Sequence, residues 1–283
     1  MNCLIVVNSF KKNASELGKQ ISVFLKENNV CCSEFVYDGN CVKDSGVAVS
    51  FEGYDFVITL GGDGTVLFAC RGCAPLGIPV FAINLGEFGF LACVQVSEWK
   101  QRLSDFLQGK CCISERFLIQ AEVMRKGKTV FITSGMNDIV ISSTASSRLI
   151  NLNVAYKWAS LGAFKANGLI VSSATGSTGY SAAAGGPIVE PSLATMLLTP
   201  ISSFSLSARP LVFGRDGELA ITILPSRVEV GLSADCQIDY ALQSDDTVIL
   251  KIPEYKAYLI CSEQEKFYAA LQSKLNWSGG PRA

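Results

Sequence analysis

A glycine-rich turn directly after an apolar stretch is the feature that most constrains how this chain folds. The stretch DFVIT (55–59) leads into the run LGGDGT (60–65). Because glycine lacks a Cβ, its backbone adopts positive φ and approaches an anion closely, and successive N–H groups then meet phosphate oxygens. A strand, this turn and a following helix, whose N-terminus also attracts anions, together predict a phosphate-binding turn.

Asp63 is the unusual member of this turn. Phosphates repel a carboxylate unless the carboxylate binds Mg²⁺ or removes a proton, so its position indicates phosphoryl transfer to a hydroxyl. The turn is not a P-loop, because no lysine follows the glycines, and it does not read G-x-G-x-x-G. By itself, the turn is equally compatible with a chain reversal that binds no ligand.

A second block, NGLIVSSATGSTGYSAAAGGPIVEP (167–191), joins a short apolar strand to small and hydroxylated residues. Small side chains let a ligand lie against the backbone, and the hydroxyls supply hydrogen-bond donors. Tyr180, the one aromatic residue of the block, offers a flat face on which a purine stacks. The alternative interpretation is a tightly packed turn before a short helix, with Tyr180 half-buried.

These two blocks and three smaller ones resemble, in order, the motifs of the NAD kinase family over nearly the whole chain. The matching runs are GGDGT (61–65), NLGEFGFL (84–91), MNDIV (136–140), SATGSTGY with GGP (173–180 and 185–187), and TPI with LSARP (199–201 and 206–210). The chain departs from the family pattern where Asn167 replaces an aspartate, Ala174 a proline and Gly179 an alanine. Phe204 stands at the place of a histidine, and Cys236 replaces a glycine at which a positive φ is expected.

The resemblance implies a Mg²⁺-dependent NAD kinase that transfers the terminal phosphoryl group of ATP to the adenosine 2′-hydroxyl of NAD. Asp63 is then the catalytic residue, which accepts the hydroxyl proton or holds the metal. Asn137 and Asp138 bind the adenine–ribose end of NAD, and a simple turn at a strand start is their structural alternative. No residue is assigned as a dedicated metal ligand. The cofactor-binding residues that we expect are Gly61, Gly62, Gly64, Thr65, Asn137, Asp138, Lys165, Asn167, Thr178, Gly179 and Tyr180.

The pattern of apolar segments predicts two domains. From residue 1 to about 110, short apolar strands alternate with helix-like stretches, which predicts an α/β domain with a parallel sheet and the 61–65 turn at a strand's carboxyl end. From 111 to 260, short strands between turn residues predict an all-β, sandwich-like domain. The resemblance implies that this domain binds NAD. In 261–283 the apolar spacing is helical, with Ser262 as the expected N-cap. The resemblance implies that this helix returns to the first domain, and we expect the ligand cleft between the domains.

The composition and net charge of the chain limit the classes of partner that we expect it to bind. The 283 residues carry a formal net charge of −1, which gives no support to a nucleic-acid partner. No stretch approaches the roughly 20 apolar residues of a membrane-spanning helix, and the start MNCLIVVNSF reads as a strand, so we expect no membrane partner. We expect a cytoplasmic protein, and the resemblance implies a homodimer or homotetramer that binds NAD and ATP.

The eleven cysteines are scattered and odd in number, which argues against a disulfide framework. Cys70 and Cys73 have the C-x-x-C spacing but lack the further ligands of a zinc site. We therefore expect free thiols that fill the core as small apolar groups.

Two other functions stay open at this point. A lipid kinase of the diacylglycerol type also carries a GGDGT turn beside a β-rich domain, but the basic amphipathic stretch that would bind a membrane is missing here. A non-catalytic NAD(P)-binding sensor is the second alternative. The retention of Asp63 and its glycines argues against a sensor, whereas Asn167 and the absent histidine favour it.

Overall fold

A computed structural model of the chain describes residues 1–39, 42–43, 46–47, 49–86, 89–92, 94–145, 148–275 and 277. Glu87 and Phe88 of the NLGEFGFL run, together with Cys41 and Cys93, lie outside the described residues. The chain divides into two compact units, the first comprising Met1–Glu115 with Ala257–Ala283 and the second Arg116–Lys256.

The strands are β1 (Asn2–Asn8), β2 (Cys31–Tyr37), β3 (Val42–Lys43), β4 (Gly46–Val47), β5 (Phe56–Gly61), β6 (Pro79–Asn84), β7 (Val94–Gln95), β8 (Ile113–Arg116), β9 (Ile119–Arg125), β10 (Lys128–Gly135), β11 (Asp138–Ser143), β12 (Ile150–Tyr156), β13 (Ala159–Ala166), β14 (Gly168–Ser173), β15 (Thr195–Ile201), β16 (Leu211–Gly214), β17 (Leu219–Ile223), β18 (Val230–Ala234), β19 (Ile238–Leu242), β20 (Thr247–Lys251) and β21 (Ala257–Ile260). The helices are α1 (Ala14–Glu27), α2 (Asp63–Cys73), α3 (Trp99–Leu107), α4 (Tyr180–Ala183) and α5 (Gln264–Leu275), and two 3₁₀ turns cover Ala74–Leu76 and Thr175–Thr178.

The first unit is built on a seven-stranded sheet with the order β2-β1-β5-β6-β21-β8, to which β7 adds beside β6. β1 pairs in parallel with β2 and β5, and β6 pairs in parallel with β5, β7 and β21. All six residues of β5 are buried, as expected of a parallel strand that is covered on both faces. The predicted α/β fold of the first domain is confirmed.

The order of the strands reverses between β1 and β5, because β2 lies on one side of β1 and β5 on the other. The carboxyl ends of parallel strands at such a reversal open a crevice in which ligands bind. The glycine-rich turn lies at this place, since β5 ends at Gly61. The helix begins at Asp63 rather than after Thr65, so the second half of the run GGDGT forms the first turn of α2.

The second unit is an antiparallel β sandwich, as the sequence predicted. One sheet has the order β10-β9-β20-β17-β12-β13 and the other β16-β15-β14-β11-β18-β19. Inward residues alternate with outward ones along β9, where Ile119, Ala121 and Val123 are buried. They join Ile139 and Ile141 of the facing sheet in one core, which is how two half-buried sheets cover their apolar faces.

The C-terminal part of the chain differs in detail from the sequence-based division. β21 lies within 111–260 but pairs with β6 in the sheet of the first unit. Its residues are too few and too continuously apolar for periodicity to distinguish them from a sandwich strand. Helix α5 begins at Gln264, so Ser262 lies two residues before the helix and not directly at its start. None of the described helices is both long and apolar enough to cross a membrane.

The described cysteines are free thiols, and several are buried. Cys70 and Cys73 lie in α2 with no exposed surface. Burial raises the pKa of the Cys73 thiol, so this group is neutral at physiological pH and packs as a small apolar side chain.

A buried ion pair links two strands of the second unit. Asp246 is fully buried just before β20, and its two oxygens accept hydrogen bonds of 2.8 Å from Nε and Nη2 of Arg125 on β9. The N–H of Gln243 donates to the same carboxylate at 2.8 Å. Burial raises the pKa of this carboxyl, but the hydrogen bonds from Arg125 and Gln243 and the charge of Arg125 together outweigh burial and hold the pKa below its ordinary value.

We predict that Arg125→Met lowers the free energy of unfolding at pH 7, and by more than the control variant below, because it leaves the buried carboxylate of Asp246 without its partner. Because the folded-state pKa of Asp246 is lowered, the contribution of the pair is present above pH about 4 and is lost as the pH falls through the folded-state pKa. Urea unfolding at pH 7 and at a series of pH values below about 4 measures the difference and its pH dependence.

The matched control is Arg215→Met. Arg215 bonds Glu254 at 2.7 Å, but the Glu254 side chain is 94 % exposed, so we expect a loss below about 1 kcal/mol. Equal losses in the two variants would contradict the assignment of a buried, stabilising pair.

Candidate functional site

The carboxylate of Asp63 is held by three consecutive backbone amides. Its Oδ2 accepts the N–H of Phe90 at 2.9 Å, and its Oδ1 accepts those of Leu91 and Ala92 at 3.2 and 3.1 Å. These amides lie beyond the end of β6, so the side chain of Asp63 joins the start of α2 to the neighbouring strand exit. Asp63 is also the first residue of α2, where the positive end of the helix dipole favours a negative charge.

The glycines around Asp63 are needed because other side chains pack closely against them, and not because their backbone has a positive φ. None of Gly61, Gly62 and Gly64 is in the left-handed region, so the expectation of positive φ was wrong. A Cβ on Gly61 would overlap the side chain of Thr65. A Cβ on Gly89 would overlap the carboxylate of Asp63, so the loop that supplies the amides can approach this residue only with glycine at 89.

Asp63 has bonding capacity that its hydrogen bonds to the described residues do not use. A carboxylate has about four acceptor positions, two on each oxygen. Oδ1 uses both of its positions on backbone amides and Oδ2 uses one. Asp63 is half-buried and Gly64 beside it is exposed, so the free position on Oδ2 can accept a hydrogen bond from a substrate hydroxyl.

Asn8 connects the end of β1 to the glycine-rich turn. Its Nδ2 donates to Oγ1 of the buried Thr65 at 2.8 Å, and its Oδ1 accepts the N–H of Phe10 at 3.0 Å. One amide side chain therefore positions both the turn after β1 and the first turn of α2. The sequence analysis missed this residue, although an asparagine directly after an apolar strand is a signal for such a role.

The second unit uses a buried aspartate in the same way. The carboxylate of Asp235 accepts the N–H groups of Met136, Asn137 and Asp138 at 2.9, 2.7 and 3.1 Å. The turn that carries it has φ +52° at Asp235 and +54° at Cys236. Because a cysteine at positive φ is strained, the family glycine would fit this turn with less strain.

Asn137 lies against the serine- and glycine-rich block. Its carbonyl accepts the N–H of Ser173 at 2.9 Å and packs on Gly176, where a Cβ would overlap it. The hydroxyl of Ser173 donates to the carbonyl of Met136 at 2.6 Å and accepts the N–H of Gly176 at 3.1 Å. The Nδ2 atom of Asn137 is 3.7 Å from the position that a Cβ on Gly179 would occupy. The structure thus brings together two motifs that are about 40 positions apart in the sequence.

Asp138 is a buried acid whose carboxyl has no hydrogen-bond partner within the described part of the chain. Only 4 % of its surface is exposed, and among the described residues its carboxyl makes no hydrogen bond. Burial, and secondly the charge of Asp235, raises the pKa of Asp138 to about 7. A buried carboxyl in this state has bonding capacity for a ligand that supplies donors.

Tyr180 begins α4 directly after the 3₁₀ turn Thr175–Thr178, and 43 % of its surface is exposed. Thr178 donates to the carbonyl of Thr175 at 3.4 Å, and the N–H of Gly179 bonds the carbonyl of Gly176 at 2.9 Å. Both predicted features are present, a tight turn with a short helix and an available aromatic face.

Lys165 and Asn167 lie elsewhere in the second unit. β14 pairs antiparallel with β11, so Ser173 neighbours Asn137 while Asn167 bonds Ser143 at the opposite end. At about 3.3 Å per residue, this places Asn167 roughly 20 Å from Ser173. Within one chain, the structure therefore does not join Lys165 and Asn167 to the cluster of Asn137 and Asp138.

The side chain of Lys165 lies over the ring of Phe204, with Nζ 5.2 Å from the ring centroid. Both residues line a cavity of about 520 Å³. Arg209 also lines this cavity and is exposed, and its Nη1 donates hydrogen bonds to the carbonyls of Leu206 and Ala208. Asn167 donates from Nδ2 to the carbonyl of Arg148 at 3.1 Å.

Comparison with known proteins agrees with these motifs. The model of the ATP-NAD kinase N-terminal domain matches residues 43–111, and that of the ATP-NAD kinase C-terminal domain matches residues 136–262. A protein of Treponema denticola named NAD kinase is 44 % identical over 277 residues, which cover 98 % of this chain and 96 % of the relative. This chain belongs to the NAD kinase family. A protein of Desulforamulus reducens named NAD kinase is 34 % identical and is covered, like this chain, to 98 %.

Solved structures share the fold. Yeast NADH kinase complexed with NADH superposes with a TM-score of 0.81 at 22 % identity, over 100 % of this chain and 89 % of the other. An NAD kinase from Archaeoglobus fulgidus in complex with ATP gives 0.76 at 23 % identity, over 99 % and 100 %. An α/β unit followed by a β sandwich is therefore the fold of known NAD kinases. With the relatives above, the chain is a kinase of this family.

We predict that Asp138→Asn stabilises the protein relative to the unaltered chain, and increasingly so as the pH rises. The raised pKa means that ionising Asp138 is costly in the folded state, so the unaltered protein loses stability between pH about 4 and about 7. The difference in unfolding free energy should therefore widen by about 2–3 kcal/mol from pH 5 to pH 8. Urea unfolding at both pH values measures it.

Asp239→Asn is the control, because Asp239 is exposed on β19 of the same sheet and should show no such widening. A pH-independent difference for Asp138→Asn would show that the carboxyl of Asp138 is ionised in the folded protein throughout this range.

Proposed function

We propose that the protein transfers the γ-phosphoryl group of MgATP to the adenosine 2′-hydroxyl of NAD, giving NADP and ADP. The family membership supports this reaction. The observation that assigns the reaction to particular atoms is the geometry of Asp63. Its carboxylate is fixed by three amides and keeps one acceptor position on Oδ2. Relatives that share the fold were solved with NADH and with ATP, which supports these two ligand classes.

The chemical step is an in-line displacement. The 2′-oxygen of NAD forms a bond to the γ-phosphorus, and the bond from that phosphorus to the β,γ-bridging oxygen breaks, so that ADP leaves. The proton of the attacking hydroxyl passes to Oδ2 of Asp63. Because this reaction needs positioning more than covalent chemistry, the fixed side chain of Asp63 supplies the main protein contribution, which is orientation of the acceptor hydroxyl.

In the second unit, we assign the adenosine end of NAD to the cluster around Asn137 and Asp138. The carboxyl of Asp138, which makes no hydrogen bond to the residues that the structure describes, accepts from ribose hydroxyls, and the ring of Tyr180 stacks on the adenine. Thr178 and Gly179 line the same place. Lys165 and Asn167 are kept in the proposal as a separate basic position, since they lie at the other end of the ladder between β11 and β14.

In this proposal, Mg²⁺ enters the site as part of the substrate MgATP. Among the residues that the structure describes, no group of three or more Cys, Asp or Glu side chains is arranged to hold a metal ion. Mg²⁺ commonly keeps several waters and binds through substrate phosphates and one or two carboxylates, which agrees with its arrival as MgATP. The glycines Gly61, Gly62 and Gly64, with Thr65, are assigned to the phosphates. A homodimer or homotetramer in the cytoplasm completes the proposal.

The two alternative functions are not favoured. Relatives at 34–44 % identity over nearly the whole chain are named NAD kinases, which argues against a lipid kinase. A buried acid beside a serine- and glycine-rich turn also suits a nucleoside better than an acyl chain. A sensor without activity would bind NADP and form none, so the activity measurement below separates it from the proposed enzyme.

We predict that the unaltered protein forms NADP from NAD and MgATP, and that Asp63→Asn lowers kcat by about 10²–10⁴-fold, because an amide accepts no proton at neutral pH. Steady-state NADP formation, read by an NADP-specific dehydrogenase, measures both proteins. Asp245→Asn is the matched control, since it makes the same chemical change at an exposed turn position with φ +68°, which asparagine tolerates.

Thermal unfolding of all three proteins shows whether the loss in Asp63→Asn is one of chemistry or of folding. Retained turnover in a folded Asp63→Asn protein would remove Asp63 from the proton transfer. Absence of NADP from the unaltered protein, with NAD or NADH as acceptor, would overturn the proposed reaction.

A further inference from the structure

The loop that holds Asp63 carries an aromatic side chain to which the proposed function gives no role. Phe90 donates its N–H to Oδ2 of Asp63 at 2.9 Å, whereas the amides of residues 91 and 92 both bond Oδ1. Within the described part of the chain, the Phe90 amide is thus the one hydrogen-bond donor to Oδ2. Because Oδ2 is the oxygen that takes the proton in the proposed reaction, the position of Phe90 controls where this oxygen points.

The ring of Phe90 packs against helix α5. Its centroid lies 6.2 Å from that of Phe267, with an angle of 54° between the two ring planes. Nζ of Lys274 lies 5.7 Å from the centroid of the Phe90 ring, within the roughly 6 Å range of a cation–π interaction. Phe267 and Lys274 are about two helical turns apart, so both project from the same face of α5. The helix therefore contacts this ring at two points.

Helix α5 is itself fixed to the first unit. Phe267, Ala270 and Leu271 are buried along one face of the helix. Just before the helix begins, Glu263 accepts a hydrogen bond of 3.0 Å from Nη1 of Arg102 on α3. Burial of the apolar face and this ion pair give α5 a defined position, so it can hold the ring that lies against it.

The loop depends on this ring because the residue before it has no side chain. Gly89 lies so close to Asp63 that a Cβ there would overlap the carboxylate, so no side chain at 89 can fix the loop. Leu91 and Ala92 are buried, but their amides serve Oδ1. The ring of Phe90 is therefore the side-chain contact closest to the hydrogen bond on Oδ2, and its release loosens that bond first.

We propose that Phe267 and Lys274 are positioning residues for the phosphoryl transfer, which act through the ring of Phe90 to hold its N–H on Oδ2 of Asp63. The inference rests on the proposed function, to which it adds a requirement for helix α5. Neither residue needs to touch a substrate. While the ring is held, the Phe90 amide occupies one acceptor position of Oδ2, and the other position stays directed at the hydroxyl of NAD.

Lys274 separates positioning from packing, because its side chain is exposed and its removal leaves no cavity. Lys274→Met keeps the apolar stem and removes the charge over the ring, whereas Lys274→Arg retains a cation there. For NADP formation, we expect Lys274→Met to lower kcat about two- to fivefold, with the KM for NAD and for MgATP each changed less than about twofold. Lys274→Arg should restore the kcat of the unaltered protein.

The control is Lys19→Met, which removes the same charge from an exposed position of α1 in the same unit and should leave kcat unchanged. Phe267→Leu is the second test variant, since it keeps an apolar side chain and removes the ring. We expect it to lower kcat about two- to tenfold, again without a matching change in KM. Thermal unfolding shows whether each variant is folded.

Amide hydrogen exchange followed by NMR, on the protein without substrates, gives a readout that does not require turnover. In Lys274→Met and in Phe267→Leu, the amide of Phe90 should exchange at least about threefold faster than in the unaltered protein. The amide of Ala121, in the core of the second unit, should keep its rate. If the unaltered protein forms no NADP, the proposed function fails, and the exchange rates still decide whether α5 holds this hydrogen bond.

For each residue, an unchanged kcat or an unchanged exchange rate at Phe90 would overturn its assignment as a positioning residue. A higher KM at constant kcat would overturn it too, because it would indicate a direct contact with a substrate. A loss of kcat in Lys274→Arg as large as that in Lys274→Met would contradict the role of the charge. Equally faster exchange at Ala121 would indicate general destabilisation in place of positioning.

Discussion

The hydrogen bonds between the carboxylate of Asp63 and the amides of residues 90–92 are the interaction on which the first unit's site depends. The three amides lie beyond the end of β6 and converge on the side chain of Asp63. Asp63 is the first residue of α2, the helix that follows the neighbouring strand β5. A backbone loop left without these acceptors would carry unsatisfied donors in a half-buried place, which is unfavourable. The charge of Asp63 therefore shapes the loop, and the loop in turn directs the remaining acceptor position of the side chain.

The second unit repeats this device with other residues. Asp235 accepts hydrogen bonds from three consecutive amides, those of residues 136–138, and so positions the backbone of Asn137 and Asp138. Asp235 and Asp138 are both buried, and their proximity is part of the reason why the pKa of Asp138 is raised. In each unit, one aspartate orders a backbone segment. In the first unit the ordering residue is itself assigned to catalysis, whereas in the second it supports its neighbours.

Much of the fold was predictable, because its signals are local. The strand before Gly61, the alternation along β9 and the change from α/β to all-β texture each follow from a period in the sequence. The short apolar strand β21 was not assigned to the first sheet, because four apolar residues do not reveal which sheet they join. Sheet membership is decided by pairing partners that are far away in the sequence.

The geometry around the candidate site residues was not predictable from the sequence. The glycines were expected to adopt positive φ, whereas their role is to permit close packing against Thr65 and Asp63. The separation of Lys165 from Asn137 follows from the antiparallel register of β11 and β14, which no motif records.

The most direct test of the account is to follow a mixture of the protein, NAD and MgATP by ³¹P NMR. The account predicts that a new phosphomonoester resonance of NADP, at the adenosine 2′ position, grows in step with ADP as the γ-phosphate resonance of ATP disappears. Release of inorganic phosphate with ADP and no NADP resonance, or a spectrum that does not change, would contradict the assignment of NAD as the phosphoryl acceptor.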